Sequence, residues 1–283
     1  MSIKERLPVS PMKDEQSKIA FHRPEFLKFF SKTFLNLDIE TVADFRYTNG
    51  ELFYVQERHE DGRVKSLKMI INISVKLKNG KEIIIEIQVS KQDFFFWRLL
   101  LYMSGIIIEQ FRNMDVDTKV QDRYPLMKPV YGVAIVKGRY FDDDIPFRTF
   151  GLKGLENNQP LLVLDKESDS HEQMIQMTII EIDKYSPDNM TEDEKSLYEF
   201  FLNKPYSSGN IPSILTATDD FLYETKDWTE EDIMDWIKEQ EIRAEERAEA
   251  KAQLLEVARK VVKEFGLNPE AVAQQFGISS ETL

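Results

Sequence analysis

Three polar side chains on two neighbouring runs could do chemistry in this chain: Asn72, Glu86 and Gln88. In the first run Ile71, Ile73, Val75 and Leu77 alternate with Asn72, Ser74 and Lys76. In the second, Ile83, Ile85, Ile87 and Val89 alternate with Glu82, Ile84, Glu86 and Gln88. A period of two marks strands with one apolar face each. A carboxylate beside two amides offers oxygen ligands, which suits a hard cation such as Mg²⁺ or Mn²⁺. The blander reading is an ordinary polar sheet face, or the rim of a buried cleft.

Which side chains meet depends on the loop. A two-residue Asn79-Gly80 turn would pair Leu77 with Glu82 and Ile73 with Glu86, mixing polar with apolar throughout. A three-residue loop, Lys78-Asn79-Gly80, with Gly80 in the left-handed position, removes the conflict. Val75 then meets Ile83, Ile73 meets Ile85 and Ile71 meets Ile87. On the other face Lys76 meets Glu82, and Asn72 falls opposite Glu86, so Asn72, Glu86 and Gln88 form one polar cluster.

The rest of the composition excludes several chemistries. There is no cysteine, and the only histidines are His22, His59 and His171. Thiol catalysis, disulfides and Cys-based zinc sites are out, and a Ser-His-Asp triad has little to draw on. No apolar run approaches the roughly 18 residues of a membrane span. The first residues, MSIKERLPVSPMKDEQ, have no apolar signal-peptide region, so a bacterial cytoplasmic address is the default. Net charge is −13, unevenly spread: +3 over residues 1–150, −16 over 151–250 and zero beyond. The first half can carry a modest basic surface, weaker than a typical DNA binder's.

The elements that must position the cluster can be read from periodicity. Residues 1–20 are polar and expected to be loosely ordered. Pro24 opens a helix through PEFLKFFSKTFLN, with Phe26, Leu27, Phe30 and Phe34 at helical spacing. Strands are expected over Phe45–Val55, Leu67–Leu77, Glu82–Val89, Val130–Val136, Pro160–Leu164 and Thr178–Ile182. Ser90 to Asn113 reads as a helix capped by Ser90, apolar nearly all round and therefore buried, with Phe94–Trp97 in the core. Thr191 with Glu194 caps a helix to about Asn203. A Ser-, Gly- and Pro-rich loop at 204–210 then marks a boundary. Three regions follow: a polar segment 1–20, a main domain 21–205, and a tail 206–283. From Thr229 to Phe265 the tail is one long charged helix, closed by Gly266. Asn268 and Pro269 open the next. The long helix reads as a solvated connector; self-association through it into a homo-oligomer is the alternative, although no Leu/Ile heptad lasts three turns. Ala271–Ser279 is similar to the second helix and turn of a helix-turn-helix. Asp142-Asp143-Asp144 reads as a solvated acidic loop.

Taken in order, these residues resemble the recombination-promoting nuclease and transposase family, a branch of the PD-(D/E)XK nucleases. The likeness rests on Ile85-Glu86-Ile87-Gln88-Val89-Ser90 as the family's Glu-x-Gln variant. Arg98, Tyr102, Ser104 and Gln110 match its helix, and Tyr124, Leu126, Pro129 and Val130 its approach to the next strand. It covers roughly residues 20–283 and is best over 68–137. The resemblance implies an α/β, restriction-endonuclease-like mixed sheet flanked by helices, with a C-terminal helical extension. It implies a Mg²⁺- or Mn²⁺-dependent endonuclease acting on double-stranded DNA, linked to recombination or transposition. Glu86 would be the metal ligand, Asn72 a weakened second ligand, and Gln88 the group near the scissile phosphate. Asn72 stands where the family has Asp, and Gln88 where the wider superfamily has Lys. The family's N-terminal acid has no clean match, Asp14 and Glu25 being nearest. Two rivals remain: a cleavage-inactive DNA-binding or scaffold protein on the same fold, and a protein-interaction module using the acidic segment.

Overall fold

The computed structural model describes residues 10–39, 45–47, 51–58, 64–70, 72–88, 92, 94–115, 117–165, 170–207 and 209–278. In chain order the first elements are α1 (Asp14–Phe21), α2 (Pro24–Leu35), β1 (Phe45–Tyr47), β2 (Glu51–Arg58), β3 (Val64–Ile70), β4 (Ile73–Leu77) and β5 (Glu82–Gln88). Then come α3 (Phe95–Arg112), α4 (Val120–Arg123), β6 (Val130–Val136), β7 (Phe147–Gly151), β8 (Val163–Asp165), β9 (Ser170–Glu172) and β10 (Ile175–Glu181). Helices α5 (Glu192–Phe201), α6 (Ser213–Glu224), α7 (Glu230–Phe265) and α8 (Pro269–Phe276) close the chain.

Six strands form one mixed sheet in the order β1-β4-β5-β6-β10-β7. β1 and β5 each run antiparallel to β4 between them, β5, β6 and β10 run parallel, and β7 is antiparallel to β10. Parallel β5 and β6 need a long crossover, and α3 supplies it. The expected α/β class, a mixed sheet between helices with a helical C-terminal part, is what the structure has. Among the described residues no helix is long and apolar enough to cross a membrane.

The β4–β5 hairpin has the expected register. Ile73 pairs with Ile85, Val75 with Ile83 and Lys76 with Glu82. Gly80 N–H closes the loop onto Leu77 O at 2.9 Å, and Gly80 takes φ +82°. Ile71 lies outside the described residues. The alternation sends side chains to two separate cores. Ile73, Val75, Leu77, Ile83 and Ile85 join one core with α1, α2, α5, α6 and the first half of α7. Ile84 joins the other, against Phe95, Leu99, Tyr102 and Met103 of α3.

Several expectations need correction. The strand run Phe45–Val55, expected to be broken by Asn49-Gly50, is two elements, but they do not stay in one sheet: β1 joins the main sheet, while β2 leaves it to pair with β3. The expected strand Leu67–Leu77 divides likewise into β3 and β4. Residues 14–21 are helical, with Ile19, Ala20 and Phe21 wholly buried, because a few apolar residues at helical spacing suffice to dock a short helix. The core also continues past residue 205, taking in Leu215, Leu222, Ile233, Ile237 and Ala244. The long helix is present with its Thr229 capping box, but its first half packs on α1 and β1 rather than standing free. Helix α3 begins at Phe95, and the expected cap Ser90 falls outside the described residues. It is not buried all round: Trp97 is 75% exposed, and Phe94, Leu101 and Ile108 are also exposed. The sheet covers one side of α3 only, which composition alone does not tell.

Gly80→Ala tests the loop. A side chain there must adopt a left-handed φ, and its Cβ would meet Lys128 Cγ at 2.9 Å. We expect a loss of about 1 kcal/mol, read as a lower urea midpoint with unchanged slope. An unchanged midpoint would mean that the loop does not constrain the hairpin.

Candidate functional site

Glu86 and Gln88 stand at the carboxyl end of β5, where parallel strands of α/β sheets commonly meet ligands. Both are buried, Glu86 to 3% exposure, and they point to the α3 side with Ile84. β6 sets Ala134 beside Glu86 and Val136 beside Gln88. Asn72 sits in the bend just before β4, and its backbone N–H donates to Glu86 Oε1 at 3.1 Å. The structure thus brings all three expected residues together.

It adds a cation. Arg98, one turn into α3, donates from Nη2 to Gln88 Oε1 at 2.7 Å and from Nη1 to Gln92 Oε1 at 3.0 Å. The same Nη2 lies 3.8 Å from Glu86 Oε2. Its guanidinium also stacks over the Phe95 ring, 5.3 Å from the centroid. Four residues further along, Tyr102 is buried beside it. Burial pushes the Tyr102 phenol up from its ordinary range; the negative charge of Glu86 adds to this, and Arg98 pulls the other way.

A chain of hydrogen bonds ties the cluster to the far strand. Gln92 N–H donates to Tyr140 Oη at 3.1 Å. The backbone N–H groups of Tyr140 and Phe141 donate to Glu181 Oε1, at 2.5 and 3.2 Å. Glu181 is fully buried at the end of β10, and its Oε2 lies 2.6 Å from Lys184 Nζ. Lys184 in turn reaches Asp143 at 3.3 Å, and Arg148 pairs with the same carboxylate, holding it well below the usual carboxylate range. The acidic loop 142–144 is exposed, as expected, but Asp143 and Asp144 are tied to Arg148 and Arg139.

The nearest acids upstream do not join. Helices α1 and α2, which carry Asp14 and Glu25, pack on the opposite face of the sheet, and Glu25 lies 3.4 Å from Lys28. Sequence reasoning matched Arg98 and Tyr102 to a helix pattern without assigning them to the cluster, and it missed Gln92, Tyr140 and Glu181. The available signal was Arg98 and Tyr102 four apart on the stripe of Phe95 and Leu99, polar groups on a core-facing side.

One family model, described as PD-(D/E)XK nuclease family transposase, matches residues 25–204. This chain belongs to that family. No curated protein and no solved structure matches it. PD-(D/E)XK nucleases generally use a divalent metal, so the donor set of this transposase-family chain can be tested for fit. Mg²⁺ demands near-octahedral oxygen coordination and relies on carboxylate charge. Among the described residues the cluster holds one carboxylate, Glu86. Its Oε1 receives the Asn72 N–H and its Oε2 faces Arg98. Gln88 Oε1 is taken by Arg98. No group of three His, Asp or Glu among the described residues could hold a metal ion. The described residues do not fit a divalent-metal site.

The ion pair itself is testable. Removing Arg98 takes the opposite charge away from a buried carboxylate, which costs more than the pair itself contributes. Because Arg98 is 28% exposed, we expect Arg98→Met to cost about 2 kcal/mol, below the fully buried range. Glu86→Gln in that background should recover much of the loss. Strictly additive effects in urea unfolding would show that the two charges do not interact.

Proposed function

We propose that this transposase-family chain binds double-stranded DNA on the α3 side of its sheet, with its cleavage centre disarmed. The observation that carries this is that, among the described residues, the cluster holds one carboxylate, Glu86, and that it faces the guanidinium of Arg98. Metal-assisted hydrolysis needs a cation held by several oxygens to lower the pKa of water and to offset charge on the phosphate. One carboxylate opposite an arginine gives such a cation little to hold. The charge distribution supports contact with DNA: the half of the chain that carries the cluster is net basic, and the acidity lies beyond residue 150.

A second reading is a Mg²⁺- or Mn²⁺-dependent DNA endonuclease of recombination or transposition. Glu86 and Asn72 would be its metal ligands, and Gln88 the group near the scissile phosphate. What favours it is the surviving juxtaposition of Asn72 and Glu86 across two strands. A cytoplasmic setting goes with both readings.

Incubation of supercoiled plasmid with Mg²⁺ or Mn²⁺ separates them. We expect the native chain to retard plasmid at low salt without cutting it, and Asn72→Asp to regain nicking. Native cleavage that disappears in Glu86→Ala would put the second reading in place of the first. No retardation at low salt, where phosphate contacts are strongest, would sink both and leave a protein-interaction role.

A further inference from the structure

At the opposite end of α3 from Arg98, the tip of the β4–β5 hairpin and the last turn of the helix enclose an open pocket of about 310 Å³. Lys76, Lys78 and Lys128 line it, with Asn79, Asn113 and Gln110, and no acidic side chain does. Gln110 is held firmly: its Oε1 accepts the Lys128 backbone N–H at 3.0 Å. That bond fixes the amide so that its Nε2 is buried, and this donor meets no acceptor among the described residues. The Asn79 Oδ1 is likewise engaged, by Lys81 N–H at 3.2 Å, so its amide has donors to offer. The Lys128 stem runs across Gly80, where any side chain would displace it. Carbonyls at the end of α3 attract nearby ammonium groups. None of those described accepts from the buried Gln110 Nε2, which is left needing an acceptor. Lys76 Nζ lies 3.8 Å from Glu82 Oε1; beside that pair, several N–H donors and the further cations Lys78 and Lys128 around one open space call for a small, multiply accepting anion.

We infer that this pocket is a phosphate-binding site. The inference rests on the DNA-binding reading for its main source of phosphate, the nucleic-acid backbone, with a free phosphate ion as the other source. Twelve residues of helix separate Arg98 from Gln110, about 18 Å at 1.5 Å per residue. A DNA strand following α3 would span roughly five base pairs at 3.4 Å each between the two points. The pocket would then fix the register of the backbone while the Glu86 cluster faces it further along.

The test compares the native chain, Lys78→Gln/Lys128→Gln, and the control Lys238→Gln/Lys260→Gln on α7, with folding checked by circular dichroism. One arm measures affinity for a double-stranded oligonucleotide across a salt series. The other measures the thermal midpoint in inorganic phosphate against chloride at equal ionic strength. For the pocket variant we expect roughly tenfold weaker DNA binding, and a salt slope lower by about 1 for each lysine that touches a phosphate. Phosphate-specific stabilisation should also be lost in that variant and kept in the control. Stabilisation by phosphate without any DNA binding would support the pocket, assign it to a free phosphate and sink the DNA reading. If the pocket variant matches the native chain in both arms, the phosphate site is overturned, and the DNA reading stands or falls on the native chain's own binding.

Discussion

A carboxylate buried at Glu86 has to be compensated, and much of the architecture around it follows from that need. Desolvating a charge costs several kcal/mol unless hydrogen bonds and an opposite charge offset it. The Asn72 N–H and the Arg98 guanidinium supply both. Arg98 can reach only if α3 lies over the end of β5, and α3 lies there because Phe95, Leu99 and Met103 pack on Ile84, Val130 and Ala134. The apolar contact and the ionic one therefore depend on the same placement of the helix. Either would be weaker if α3 slid by one turn.

The two faces of the sheet have different tasks. One is buried under helices from both ends of the chain, with Phe21, Phe26, Phe30 and Phe201 in edge and stacked contact. Aromatic packing of that kind fixes side chains in one arrangement. The other face has a smaller core, a single long helix, and at the carboxyl end of its strands the polar cluster. Among the described residues, the second core includes none from the helices that follow β10.

Polar order does not stop at the cluster. Gln92 links Arg98 to Tyr140, and the loop holding Tyr140 is clamped by Glu181, itself held by Lys184. Three parallel strands thus end in groups that constrain one another through side chains and loop amides. Such networks are rigid when every member is satisfied and costly when one is removed. PD-(D/E)XK nucleases generally use a divalent metal; here an arginine stands opposite the one carboxylate that the cluster holds among the described residues.

The sequence by itself determined the hairpin register, because only one loop length keeps isoleucines opposite isoleucines, and only glycine enters the left-handed position cheaply. It also determined the capping boxes at Thr191 and Thr229 and the end of α7 at Gly266, all consequences of local hydrogen bonding. The meeting of Asn72 with Glu86 was legible for the same reason. Tertiary structure alone decided that Arg98 faces Glu86, that Tyr140 and Glu181 steady it, and that Trp97 points outward from a helix apolar nearly all round. Those facts depend on which side of α3 the sheet covers, and on loops that bring residues 40 to 48 positions apart into contact. Short-range pattern carries no record of such contacts, because they are selected by the packing of whole elements rather than by the spacing of neighbours.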